Sequence, residues 1–207
     1  MSAPRIEFFF DCSSPWTYLA FERILPIAAH AGAQIDWKPI LVGGVFNAVN
    51  DSVYAQRAAP NPVKARYYAK DLKEWAKHVG VRIGSPPVFP VRSVTAMRGA
   101  FFALDQGDIA LIAFSRALFE AYWGDLRDIS QPDEIAACAR SAGLDSEAVL
   151  AYAGSEPAKA RLKANTDELI ARGGFGSPTI FIDRDAMYFG NDRMELVAAA
   201  LARPPAA

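Results

Sequence analysis

Sulfur and imidazole are scarce in this chain. Among its 207 residues there are two cysteines, Cys12 and Cys138, and two histidines, His30 and His78. The cysteines lie far apart and form no C-x-x-C pair, so disulfide exchange between an attacking and a resolving thiol has no motif to run on. A metal held by two Cys and two His would need all four to converge, and none of them has metal-ligand spacing. No G-x-S-x-G occurs and both histidines fall late in expected helices, so a Ser–His–Asp triad has no support. No apolar run approaches the ~20 residues of a membrane-spanning helix. The first residues lack a signal-peptide layout, and a cytoplasmic protein is expected. A formal net charge of −1 provides no basic surplus for nucleic acid or an anionic membrane.

Apolar residues are plentiful instead. They make up 52% of the chain against 22% charged, the balance of a globular protein able to bury a sizeable core. Ile6 to Phe10 is a short run rich in aromatics that suits a buried strand. Pro15 then opens a segment in which Tyr18, Leu19, Phe21, Ile24, Leu25 and Ile27 recur at helical spacing. Proline is tolerated at the first helical position, where its missing N–H would have had no partner. Ser14 therefore falls at the N-cap. A strand feeding straight into a helix start aims orphan N–H groups and the positive dipole end at one point, which favours an anion such as a thiolate. The competing reading of Ser14-Pro15 is ordinary helix capping.

The helix is expected to stop at Ala31-Gly32, and residues 34–40 alternate as a second strand, parallel to the first. Gly43-Gly44 breaks the pattern, and residues 45–62 read as a loop or broken helix. Residues 62–79 are helical, with Tyr67, Tyr68, Leu72, Trp75 and Val79 on the apolar stripe. Further helices are expected over 93–104, 108–122, 132–142, 146–153 and 156–171. Thr179–Ile182 and Ala186–Phe189 form a hairpin, a last helix follows Gly190-Asn191-Asp192, and the proline-alanine tail is expected to fray. Strand–helix–strand, a long helical stretch, then hairpin–helix is the element order of an α/β, thioredoxin-like fold interrupted by a large all-helical insertion. The expected boundaries are a thioredoxin-like domain of residues 1–44 and 174–207 and a helical insertion of residues 45–173. In such folds the reactive group sits at the start of the first helix, and a cis-proline precedes the third strand. Gly176-Ser177-Pro178-Thr179 occupies that place, either as a cis bond that turns the Ser177 backbone toward a ligand or as a trans proline opening a strand.

These pieces carry a resemblance. The chain resembles the 2-hydroxychromene-2-carboxylate isomerases, relatives of kappa-class glutathione transferases and of the DsbA-type oxidoreductases. The matching stretches are Phe10-Asp11-x-x-Ser14-Pro15-x-x-Tyr18-Leu19, Tyr67-Tyr68-x-x-Asp71-Leu72-x-x-Trp75-Ala76, Phe89-Pro90, Ala121-Tyr122-Trp123, Phe175-Gly176-Ser177-Pro178-Thr179 and Phe189-Gly190-Asn191-Asp192-Arg193. They span nearly the whole chain in order. Where the oxidoreductases carry C-x-x-C, this chain has Ser14-Pro15-Trp16-Thr17.

The resemblance implies glutathione as cofactor and a small aromatic substrate. Ser14 would hydrogen-bond the glutathione sulfur and lower its pKa, with the helix N-terminus adding to the effect. Ser177 and Pro178 would meet the cysteinyl unit, Asn191, Asp192 and Arg193 the γ-glutamyl end, and Lys64 the other carboxylate. Lys64 also reads as a solvated lysine, the commoner case at such a position, and Asp192 with Glu195 as a capping box. Asn50 and Asp51 fall where relatives meet the substrate, with Trp123 and Ser13 as further substrate-site candidates. The family's Gly-Asn-Arg-Pro-Pro-like pattern is reduced here to Val49-Asn50-Asp51-Ser52-Val53. The implied reaction is cis–trans isomerisation of an aromatic-degradation intermediate, as in naphthalene catabolism, by reversible thiolate addition to an enone. The rivals are a conjugating glutathione transferase, a non-catalytic thioredoxin-like module, and an oxidoreductase using Cys12. Cys12 reads either as a small buried residue or as a thiol with a lowered pKa near a helix start. Relatives of this architecture imply a homodimer.

Overall fold

The computed structural model describes residues 4–202; the proline-alanine tail lies outside the described residues. Four strands form one mixed sheet in the order β2-β1-β3-β4: β1 (Arg5–Phe10), β2 (Gln34–Pro39), β3 (Thr179–Ile182) and β4 (Ala186–Phe189). β1 runs parallel to β2, with Phe8 beside Trp37, and antiparallel to β3, with Phe8 beside Ile180. β3 and β4 close as the expected hairpin. Among the described residues every strand thus comes from 5–39 or 179–189, and the intervening chain consists of helices and the loops that join them.

The period of two along β1 assigns its side chains to opposite faces. Ile6, Phe8 and Phe10 join Trp37, Ile180 and Ile182 in the main core. That core also takes Tyr18, Phe21 and Ile24 from α1 (Pro15–Ala31) and Met194, Val197 and Leu201 from α10 (Met194–Leu201). Phe8 has no exposed surface, and its truncation to alanine is expected to cost about 3–5 kcal/mol. Phe9 points the other way and packs with Phe181 and Leu169. Leu169 belongs to α9 (Glu156–Ala171), and Val45 of α2 (Val42–Val49) completes this second cluster. Glu7 shares that face. Arg172 holds both of its carboxylate oxygens, at 2.9 and 2.7 Å, while the same guanidinium lies 3.8 Å from the centre of the Phe181 ring.

α1 starts and stops as its sequence dictates. Ser14 Oγ accepts from Thr17 N–H, Pro15 takes the first helical position, and Gly32 closes the helix at φ +60°. Residues 45–62 are the broken helix rather than the loop. α2 and α3 (Ser52–Ala58) meet at an elbow on Asn50, which is neither helical nor fully extended. Gly43-Gly44 does not interrupt the chain, because α2 already begins at Val42. A Cβ on Gly44 would sit 3.3 Å from Thr166 of α9, so glycine here lets two helices approach.

α4 (Pro62–Val79) departs from its expected stripe. Residues 61–70 are all exposed, with Tyr67 and Tyr68 showing 61% and 57% of their surface. The helix touches the body only from Asp71 onward, through Leu72, Trp75, Ala76 and Val79. α5 (Val94–Asp105), α6 (Asp108–Phe119), α7 (Pro132–Ser141) and α8 (Ser146–Ala153) follow the expected spacing. The helix expected through Tyr122 instead widens after Phe119 into a π turn, Glu120–Gly124, where Asp125 N–H reaches back five residues to Glu120. Among the described residues no helix is long and apolar enough to cross a membrane.

Candidate active site

Ser14 sits where β1 hands over to α1. Its Oγ accepts from Thr17 N–H at 3.2 Å and donates to the Ser177 carbonyl at 3.1 Å. The Ser177-Pro178 bond is cis, as is Phe89-Pro90. The Ser177 hydroxyl is buried and shares a 2.8 Å hydrogen bond with Thr17 Oγ1, while accepting from Asp11 N–H at 3.0 Å. Two segments 163 residues apart are thereby joined at a helix N-terminus, with the hydroxyl of Ser14 on the open side.

That side faces a cavity of about 590 Å³, well within the ~300–1,000 Å³ typical of small-molecule sites. Ser13, Ser14, Trp16, Asn50, Gly176 and Ser177 contribute to its lining, and Phe46, Tyr54, Phe89, Phe175 and Phe189 make it strongly aromatic. Gly176 is needed for this closeness, because a Cβ there would lie 2.8 Å from the Phe189 ring. Asn50 Nδ2 donates to the Phe175 carbonyl at 3.1 Å and so ties the α2–α3 elbow to the loop before β3.

The other expected residues lie outside this lining. Asp51 is exposed at the start of α3, and Lys64 is exposed on the uncovered half of α4. Trp123 is buried on the π turn, where its indole N–H donates to the Cys12 carbonyl at 2.9 Å and its ring packs on Phe89. Pro178 is buried, and its carbonyl accepts from Gly190 N–H at 3.2 Å, which tethers the 190–193 segment to the cis bond. Asn191 is buried; Arg23 holds its backbone and side-chain oxygens at 2.7 and 3.1 Å, while its Nδ2 has no partner. Asp192 and Arg193 are exposed and pair with each other at 2.9 Å. The capping box of Asp192 with Glu195 does not form, because Glu195 is taken by Arg23 and Asp192 by Arg193.

Asp11 is the residue that sequence reasoning passed over. It is fully buried between β1 and α1 and faces no cation within ion-pair distance among the described residues. Its oxygens accept from Ser13 N–H (2.9 Å), Val42 N–H (2.9 Å) and Ser93 Oγ (3.1 Å). One carboxyl group thus fixes the loop carrying Ser13 and Ser14 to the starts of α2 and α5. Burial raises its pKa, against the pull of those hydrogen bonds. The same burial, with the Asp11 charge adding to it, pushes the Cys12 thiol well above its ordinary range, so Cys12 is the buried small residue and not a thiolate.

A family model described as a DSBA-like thioredoxin domain matches residues 5–202. The chain belongs to this family. A 2-hydroxychromene-2-carboxylate isomerase of Sphingobium xenophagum is 28% identical over 196 residues, covering 95% of this chain and 97% of that protein. Human glutathione S-transferase kappa 1 is 30% identical over 210 residues, covering 96% and 91%. Among solved structures, a 2-hydroxychromene-2-carboxylate isomerase superposes with a TM-score of 0.79 at 27% identity, over 95% of this chain and 94% of that one. The resemblance drawn from the motifs is therefore the true one, and the fold is the DsbA-like thioredoxin fold. Within it Ser14 stands at the head of α1, with no sulfur in the tetrad it opens.

Proposed function

We propose that this protein is a glutathione-dependent cis–trans isomerase acting on 2-hydroxychromene-2-carboxylate or a similar aromatic enone. The observation that carries the reading is the Ser14 hydroxyl, N-cap of α1, facing an aromatic cavity beside the Ser177 backbone. The residues suit the tripeptide at its thiol. A helix N-terminus and a hydroxyl donor converge on the cavity, and the Ser177 carbonyl lies next to them. Glutathione, when bound, supplies the thiolate that adds reversibly to the enone and allows rotation.

Ser14 donates its proton toward the sulfur and lowers the thiol pKa. Ser177, freed from Ser14, accepts from the cysteinyl N–H. Gly190 tethered to Pro178 leads the tripeptide toward Asn191, Asp192 and Arg193, where Asp192 meets the ammonium. Lys64 is the proposed partner of the remaining carboxylate. Ser13 and Asn50 face the substrate from the cavity wall. Asp51 and Trp123 act from outside it, Asp51 on the α3 start and Trp123 by holding Phe89 and the Cys12 carbonyl. The aromatic lining orients the substrate ring and excludes water.

The proposed assembly is a homodimer in a reducing cytoplasm, where glutathione stays reduced. The uncovered half of α4, with Val63 74% exposed beside Tyr67 and Tyr68, supports the dimer. The division into a thioredoxin-like domain (1–44 and 174–207) and a helical insertion (45–173) belongs to the same proposal; the placement of the four strands supports it.

Product analysis with excess glutathione tests the reaction. The isomerase reading expects a trans product and glutathione recovered unchanged. Accumulation of a thioether conjugate would replace it with a kappa-like transferase, and no glutathione-dependent turnover of any enone would leave a binding module.

A further inference from the structure

The side-chain charges on the cavity wall are those of Arg57 and Arg92, and both are positive; no aspartate or glutamate lines it. This positive patch belongs to a chain whose formal net charge is −1, so it is local. Among the described residues no carboxylate lies within ion-pair distance of either guanidinium. Other arginines of this chain, such as Arg116 on Glu22 and Arg161 on Asp105, are neutralised by close acids.

Arg57 is also positioned. It ends α3, and its guanidinium carbon lies 5.4 Å from the ring centres of both Phe46 of α2 and Phe89 of the loop before α5. Aromatic faces restrain the guanidinium plane through cation–π attraction without using its N–H donors. An arginine held between two rings in an aromatic cavity presents a planar fork of donors, and the anion best matched to that fork is a carboxylate.

We propose that Arg57 is a specificity-determining residue that binds the carboxylate of an aromatic co-substrate, with Arg92 adding positive potential to the same cavity. Within the substrate class already proposed, Arg57 is thereby the residue that reads the acid group. The assignment rests on the isomerase reading for the identity of the cavity but makes a binding claim of its own. A guanidinium at this place competes for two anions, the aromatic acid and a carboxylate of the tripeptide, and the test separates them.

Calorimetric titration of the full chain with trans-cinnamate, with its neutral isostere cinnamamide, and with glutathione is carried out on wild type, Arg57→Gln and Arg57→Lys. The expected result is that wild type prefers cinnamate over cinnamamide by about tenfold, the worth of one partly exposed charge-assisted pair. Arg57→Gln abolishes the preference by weakening cinnamate alone, Arg57→Lys keeps part of it, and glutathione affinity stays within about twofold throughout. Equal binding of the two probes by wild type, or binding of neither, overturns the proposal. So does an Arg57→Gln loss that falls on both probes alike, or on glutathione instead. A preserved cinnamate preference in a protein that binds no glutathione would sink the isomerase reading and leave the Arg57 assignment standing.

Discussion

The Ser14 hydroxyl gives its one proton to the Ser177 carbonyl, 3.1 Å away across 163 residues of sequence, and accepts from Thr17 N–H with the same oxygen. A ligand sulfur at this point would take that proton in exchange, and the released Ser177 carbonyl would accept the ligand's own N–H. One internal bond is replaced by two to the ligand. The cap itself survives the exchange, because the lone pair toward Thr17 is not involved. Ser14→Ala removes both functions. The expected cost of the lost cap alone is about 1 kcal/mol, read from the urea midpoint at unchanged m-value. An unchanged midpoint would show that the helix start does not depend on this oxygen.

Asp11 makes stability depend on pH in a definite direction. Its folded pKa is raised by burial, so its stabilising contribution is full below the ordinary carboxylate range and is lost as pH rises through the folded value. Asparagine at this position does not titrate. The difference in unfolding free energy, wild type minus Asp11→Asn, is therefore expected to fall as pH rises above about 4. A difference that stays flat or grows would mean that the hydrogen bonds from Ser13, Val42 and Ser93 outweigh burial. Asp11→Ala strands all three donors and is expected to cost on the order of 3 kcal/mol.

Neither cysteine is built to react. Cys12 has no exposed surface and a thiol pushed well above its ordinary range; burial pushes the Cys138 thiol up to about 11. Both are expected to resist a disulfide reagent in the native protein at pH 8 and to titrate fully in denaturant. Cys12→Ala should keep any glutathione-dependent activity. Rapid native labelling of one thiol, with loss of activity, would restore Cys12 as a candidate nucleophile.

Trp123 acts on the cavity through Cys12 and Phe89. Trp123→Phe keeps an aromatic ring but leaves the Cys12 carbonyl without its donor, so a stability loss of about 1–2 kcal/mol is expected, with glutathione affinity within about twofold. A large affinity loss at unchanged stability would place the indole against a ligand.

Most elements could be read from local pattern because local pattern determines them. Ser14, Pro15 and Gly32 set the ends of α1, and the β-rich runs at 6–10 and 179–182 pair as their composition indicates. What the sequence hid depends on partners far along the chain. The apolar stripe on α4 is genuine, but Tyr67 and Tyr68 find no cover among the described residues. The Asp192–Glu195 capping box is a valid local option that loses to Arg23, reaching in from α1. Gly43-Gly44 looks like a breaker until α9 is seen to lie against it. Asp11 enters the sequence reading only as part of the Phe10-Asp11-x-x-Ser14-Pro15 pattern, because its three donors come from three different segments. Arg57 sits in a stretch of weak periodicity, and its place between Phe46 and Phe89 depends on a loop far along the chain. Of the residues carried over from the family pattern, Ser13, Ser14, Asn50 and Ser177 meet at one cavity, whereas Asp51, Lys64, Trp123, Pro178 and the 191–193 segment are not part of its lining.

The central claim is that Ser14 activates a bound thiol. The most direct measurement is the ultraviolet thiolate absorbance of glutathione bound to the protein, followed from pH 5 to 10 in wild type and in Ser14→Ala, at saturation confirmed by calorimetry. The account expects the bound thiol to ionise at least one pH unit below free glutathione in wild type, and to return most of the way in the variant. A bound thiol that titrates like free glutathione in wild type, or equally low in both proteins, would contradict it.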